Sequence, residues 1–199
     1  MNGQDKVDKT RRNLVIATSA AGGAAGLGAA VPFVASMIPS ERARAAGAPV
    51  EVDVSRIAPG ELAVIEWRGK PVWVIRRTKE MLESLKGTES RLTDPASKSS
   101  VQPKYAQNDY RSEQPELMVM EGVCTHLGCS PQLKSSDAKA EMGADWSGGF
   151  YCPCHGSKFD YAGRVFRGAP APTNLTVPPY TIVSEGMLVI GEDKDSKGA

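Results

Sequence analysis

Polar and apolar positions divide the chain into two unlike parts. From Asn13 to Ser40 no residue carries a formal charge, and Leu14 to Ile38 supplies 25 residues. As one helix rising about 1.5 Å per residue, that run is long enough for the roughly 30 Å hydrocarbon core of a bilayer. From residue 50 the period changes to two. "VEVDVSRI" alternates apolar and polar positions, as a half-buried strand does, and "ELAVIEW-RGK-PVWVIRRT" reads as a hairpin with a short glycine-containing turn. "ELMVM" (116–120), "GGFYC", "RVF" (164–166), "YTIV" (180–183) and "MLVI" (187–190) add short strands, and "KEMLESLKG" is one short helix stopped by Gly87. Residues 88–115 are polar and proline-broken and read as an irregular surface excursion. The pattern predicts a small antiparallel all-β domain behind one transmembrane helix.

The ends and the linker follow from charge. Arg11 and Arg12 after Thr10 look like a twin-arginine export signal on a cytoplasmic tail over 1–12. An anchor over 13–38 exceeds the usual removable apolar core of about 7–15 residues, so it is expected to be retained. Cleavage after Ala43-Arg44-Ala45 or Ala46-Gly47-Ala48 is the alternative. Lys6, Lys9, Arg11 and Arg12 precede the run, which puts the N-terminus in the cytoplasm and the remainder in the periplasm. Gly22 and Gly26 would permit close approach of another membrane helix. "PSERARAAGAP" makes 39–49 a linker, and 192–199 reads as a tail after a domain over 50–191.

Lys and Arg number 24 against 23 acids, a balance that speaks against nucleic acid as a partner. The four cysteines and both histidines all lie in "CTHLGC" (124–129) and "CPCHGS" (152–157), so no histidine remains for a triad. Three uses of these six residues stay open. Zinc takes Cys and His but favours like-with-like pairs at finger spacing. Two disulfides account for the cysteines and leave the histidines unexplained. A mixed-ligand iron–sulfur cluster, with Cys and His drawn from each window as C-x-H and C-x-x-H, uses the histidines as well.

The two windows together resemble the double signature of Rieske iron–sulfur proteins of quinol–cytochrome c reductases. "PELMVMEGV" before the first window and "GAPAPTNLTVPPY" after the second extend the likeness. The resemblance implies a Rieske-type fold with a cluster-binding subdomain and one [2Fe–2S] cluster. Cys124 and Cys152 would bind the inner iron, His126 and His155 the outer iron, and Cys129 would be disulfide-bonded to Cys154. Ser157 matches the position whose hydroxyl bonds a bridging sulfide, and Leu127 and Gly128 would form an exposed tip beside His126. Two residues beyond Ser157 the family commonly has tyrosine, where this chain has Phe159, which implies a lowered potential. Lys158 reads as a solvated charge, Trp67, Trp73 and Trp146 as packing, and "KSSDAKAEMGADW" as a polar surface insertion over 132–145.

By the same resemblance the protein takes an electron from ubiquinol and a proton onto His155 or His126. The electron then passes to a c-type cytochrome, beside cytochrome b, in a complex expected to be dimeric in the bacterial inner membrane. The linker over 39–49 would act as a hinge. The small subunit of arsenite oxidase and a free periplasmic carrier are the alternatives.

Overall fold

A computed structural model describes residues 8–193. Lys6 and the last residues of the expected tail lie outside them. Helix α1 runs Lys9–Ser36, beginning before the apolar run because Asp8 caps it: its carboxylate accepts from the backbone N–H groups of Thr10 and Arg11 at 2.9 and 3.3 Å. The helix contains Pro32, buries none of its residues, and is long and apolar enough to cross a membrane. The expected linker contains a short helix, α2 (Glu41–Ala46). Residues up to Ala45 form one compact unit and those from Ala46 a second.

Among the described residues the second unit holds nine strands, paired antiparallel in three three-stranded sheets. Strands β1 (Val50–Asp53), β8 (Tyr180–Ser184) and β9 (Met187–Ile190) make one, with β9 central. Strands β2 (Leu62–Trp67), β3 (Lys70–Arg76) and β4 (Leu117–Glu121) make the second, around β3. Strands β5 (Gln132–Lys134), β6 (Gly149–Tyr151) and β7 (Lys158–Phe159) make the third, around β6.

Why the second sheet reads as almost unbroken apolar sequence follows from side-chain alternation. Val72, Val74, Leu117 and Val119 point into a core shared with Val52, Leu188 and Ile190 of the first sheet. Their neighbours Trp73, Ile75, Met118 and Met120 point the other way, into a core with Phe150, Phe159, Cys124 and Cys152. Strands buried on both faces, as β3 and β4 are, cannot alternate with polar residues, whereas the edge strand β2 is only partly covered. At roughly 1.5–3 kcal/mol per large apolar side chain, these two cores supply most of the drive to fold.

One expectation is corrected and two are refined. Residues 88–115 are irregular and lie largely at the surface, as expected, but they are also anchored in the domain, because Leu92, Ser97, Ala106, Arg111 and Ser112 are buried. No strand forms at 164–166, where only Val165 bridges Phe159 and Phe166 bridges Leu92. The reason lies one turn earlier. The Asp160 carboxylate accepts from the N–H groups of Ala162 and Arg164 at 2.9 and 2.8 Å, and Gly163 sits at φ +69°, so the chain is held in a tight turn. The 132–145 insertion lies largely at the surface, as expected, and contributes β5 and helix α4 (Lys139–Met142), which buries Met142. The helix begun at Thr78 is short, α3 (Lys79–Glu83), and the chain reverses at Gly87 with φ +73°.

Candidate metal centre

Strand register brings the two Cys/His windows side by side. β4 delivers the first, β5 leaves it, and Gln132 pairs with Tyr151, so both windows leave the third sheet at the same end. Tyr151 pairs in turn with Lys158, making residues 152–157 the loop of a hairpin. Gly149 is required for that hairpin. Its φ is +139°, and a Cβ there would lie 2.0 Å from the Phe159 carbonyl oxygen.

Each window is closed by the same two backbone bonds. In the first, Cys124 N–H donates to Cys129 O at 2.7 Å and Gly128 N–H to Cys124 O at 3.0 Å. In the second, Cys152 N–H donates to Ser157 O at 2.8 Å and Gly156 N–H to Cys152 O at 2.9 Å. Gly128 and Gly156 take φ +82° and +79°, a conformation that suits only glycine without strain. A glycine at the fifth place of each window was the sequence signal for this repeat.

The side chains break that symmetry. Cys124 and Cys152 are buried with free thiols, and Cys129 is bonded to Cys154 across the loops, Cα to Cα 6.6 Å. The His126 and His155 rings lie 4.7 Å apart at 86°. His155 is exposed, whereas His126 Nδ1 is buried and has no hydrogen-bond partner. Leu127 is 70% exposed, at the outer end of the first loop with Gly128. Burial pushes the Cys124 thiol above its ordinary range and neighbouring Cys152 adds to this, while the His126 backbone N–H and the Ser157 hydroxyl pull it back. Two buried thiols side by side, with a buried, unpartnered imidazole nitrogen on one of the same loops, are donors suited to a soft cation.

A third loop, which sequence reasoning placed only by likeness, braces the other two. The buried Ser157 hydroxyl accepts from Ala171 N–H at 3.0 Å, and the Thr125 hydroxyl donates to Thr173 O at 2.7 Å. Phe159 is wholly buried in the core that contains both free cysteines. Lys158 is not a solvated charge, since its ammonium donates to Met142 O and pins the insertion. Trp67, Trp73 and Trp146 are packing residues, each 4% exposed. The tightest sulfur grouping is Cys129, Cys152 and Cys154, whose ligand atoms all lie within 4.8 Å. Two of these are spent in the disulfide, so the grouping differs from the four residues that the resemblance names.

Residues 103–180 match the family model of the Rieske [2Fe-2S] domain, and residues 1–40 match one described as "Ubiquitinol-cytochrome C reductase Fe-S subunit TAT signal". The ubiquinol–cytochrome c reductase iron–sulfur subunit of Allochromatium vinosum is 52% identical over 191 residues, 96% of this chain and 92% of that one. The chain belongs to the Rieske iron–sulfur subunits of ubiquinol–cytochrome c reductase. The Bradyrhizobium diazoefficiens subunit is 41% identical over 92% of this chain and 94% of its own. A solved chain from a hyperthermophilic respiratory Complex III is 29% identical, with a TM-score of 0.47 over 87% of this chain and 98% of that one.

As a Rieske subunit the chain carries a [2Fe–2S] cluster and is part of the reductase complex. Its twin-arginine signal and α1 fit a single-pass membrane-anchored subunit. The donors fit the cluster. Soft sulfur is buried at Cys124 and Cys152, and the unpartnered His126 Nδ1 faces inward.

Proposed function

We propose that this subunit accepts one electron and one proton from ubiquinol and passes the electron to a c-type cytochrome, working beside cytochrome b in a dimeric complex. Cys124 and Cys152 hold the inner iron and His126 and His155 the outer iron. When bound, the cluster supplies one-electron chemistry at a potential raised by its neutral imidazole ligands. The observation that carries this reading is the coexistence of two buried thiols with an exposed His155 ring and an exposed Leu127 on the adjoining loop.

The division of labour follows from exposure. His155 reaches solvent and meets a quinol hydroxyl, holding the transferred proton on the ring nitrogen not used as a ligand. His126 uses Nδ1 inward and has its other nitrogen for the same task. Leu127 and Gly128 give the tip an apolar surface with no bulk at the second position, suited to an apolar quinone pocket. Ser157 donates toward sulfur while Ala171 N–H fixes its oxygen, and donors to sulfur favour the reduced state. The N-terminus is cytoplasmic, α1 is the retained anchor, residues 39–49 act as the hinge, and the cluster domain is periplasmic.

An EPR-monitored redox titration of the membranes, repeated across pH, tests the reading. A positive midpoint that falls as pH rises through neutral to alkaline values is expected, because reduction then takes up a proton. A negative midpoint unresponsive to pH would mean a ferredoxin-like carrier. Phe159→Tyr should raise the midpoint. A hydrogen bond favouring the reduced state by about 1 kcal/mol corresponds to about 40 mV for one electron. An unchanged midpoint would show that the missing hydroxyl does not set the potential.

A further inference from the structure

We propose that the cavity between the end of the insertion and the chain at Arg91 and Arg167 binds a small organic anion, a phosphate or carboxylate carried on a flat apolar body. The cavity measures about 440 Å³, within the roughly 300–1,000 Å³ of small-molecule sites. Three cations, Arg91, Lys158 and Arg167, line it beside Met142, Trp146 and Phe166. No residue of either Cys/His window lines it, so it is separate from the cluster donors.

The cations are held in place without being neutralised. Each spends one donor on a backbone carbonyl. Arg91 Nη1 donates to Asp145 O at 2.8 Å, Arg167 Nε to Leu92 O at 2.8 Å, and the Lys158 ammonium to Met142 O. Guanidinium and ammonium groups carry further N–H donors, which stay free for a ligand. No carboxylate among the described residues pairs with any of the three. Asp145 is the one acidic residue at the cavity, and it is exposed. Like charges facing one space repel, and a bound anion reverses the sign of that interaction.

The walls are formed before a ligand arrives. Arg167 N–H donates to Arg91 O at 2.8 Å and Phe166 bridges Leu92, which joins two sides of the cavity. The Trp146 indole N–H donates to Ser135 O at 2.9 Å, fixing a third. The Arg91 guanidinium lies over the Phe166 ring, 5.4 Å from its centre, and the Trp146 and Phe166 rings are 6.1 Å apart. Little side-chain ordering is left for binding to impose. Buried Met142 and Trp146 with half-buried Phe166 give an apolar wall, which a bare inorganic ion would leave wet and a flat organic body would cover.

Phenyl phosphate is the probe, titrated by calorimetry into the full chain with its cluster, in detergent, and into the purified complex. A Kd below about 1 mM is expected, weakening with added salt. Inorganic phosphate should bind at least about tenfold more weakly, because it buries no ring. Arg91→Gln and Arg167→Gln should each weaken phenyl phosphate at least about tenfold, the usual worth of a charge-assisted hydrogen bond. Asp145→Asn should tighten it severalfold, a gain that misfolding cannot imitate. Arg56→Gln, at an exposed arginine that does not line the cavity, should change nothing. No saturation by about 10 mM, equal affinity for inorganic phosphate, or cavity variants that bind like wild type would overturn the proposal. Binding to the free chain that disappears in the complex would overturn it too, and would give the cavity to an acidic group of a neighbouring subunit.

Discussion

Replacing Cys124, His126, Cys152 or His155 by alanine, one at a time, is expected to leave the membrane-bound chain without its cluster and the complex without quinol oxidation. Cys124 and Cys152 are 2% and 1% exposed, and no other free cysteine exists among the described residues to take over. With these four as the ligands, Cys124 and Cys152 would hold their iron against an apolar core that includes Phe150 and Phe159, where uncompensated charge is costly, and each histidine would supply a donor that nothing else replaces. The measurement is iron and acid-labile sulfide per chain, with the EPR signal beside it. A variant that keeps a full cluster is not a ligand. Cys154→Ser makes the useful contrast. It keeps all four proposed ligands and loses a disulfide worth roughly 3–4 kcal/mol in the chain-entropy model, so it should lower cluster occupancy without abolishing it.

Asp160→Asn is expected to cost about 3–5 kcal/mol of stability, the usual penalty for removing one partner of a buried ion pair. Asp160 and Arg164 are 1% and 0% exposed and meet at 2.7 Å. Around them lie two more buried arginines. Arg77 donates to the carbonyls of Pro115, Tyr110 and Tyr161 and to the Ser112 hydroxyl. Arg111 donates to Ala162 O and Gln102 Oε1. Burial pushes both guanidinium groups down to about 10, and the Asp160 charge opposes that shift. Neutralising Asp160 removes a buried anion that three buried cations face. Denaturant unfolding of the full chain in detergent measures the loss, and a value below about 1 kcal/mol would mean that backbone carbonyls alone satisfy the arginines.

Those arginines also explain where sequence reading failed. A polar stretch with three prolines looks wholly solvated, yet 88–115 is pinned to the domain by guanidinium groups bonded to carbonyls, which no apolar period reveals. β5 and β7 are three and two residues long, too short for alternation to register. The apparent strand at 164–166 carried the right residue types, but the Asp160 turn overruled them. What could be read was set by strong, simple physics. Continuous apolar sequence at 72–75 and 117–120 reflected strands buried on both faces, and the charge-free run reflected α1. The two Cys/His windows were legible as chemistry because so few other residues could share it. Their common backbone closure was not, although Gly128 and Gly156 marked it.

The disulfide closes a covalent ring of chain from Cys129 to Cys154, braced across its neck by the β5–β6 pairing, with the insertion as its outer arc. Both ends of that arc are fastened, by β-pairing on one side and by Lys158 and the buried Trp146 on the other. Ser135, Ser136 and Asp137 protrude from it into solvent. A fluorophore, epitope or extra residues grafted there would lengthen the arc while the loops stay clasped, giving the electron carrier a handle for tracking without touching its working end.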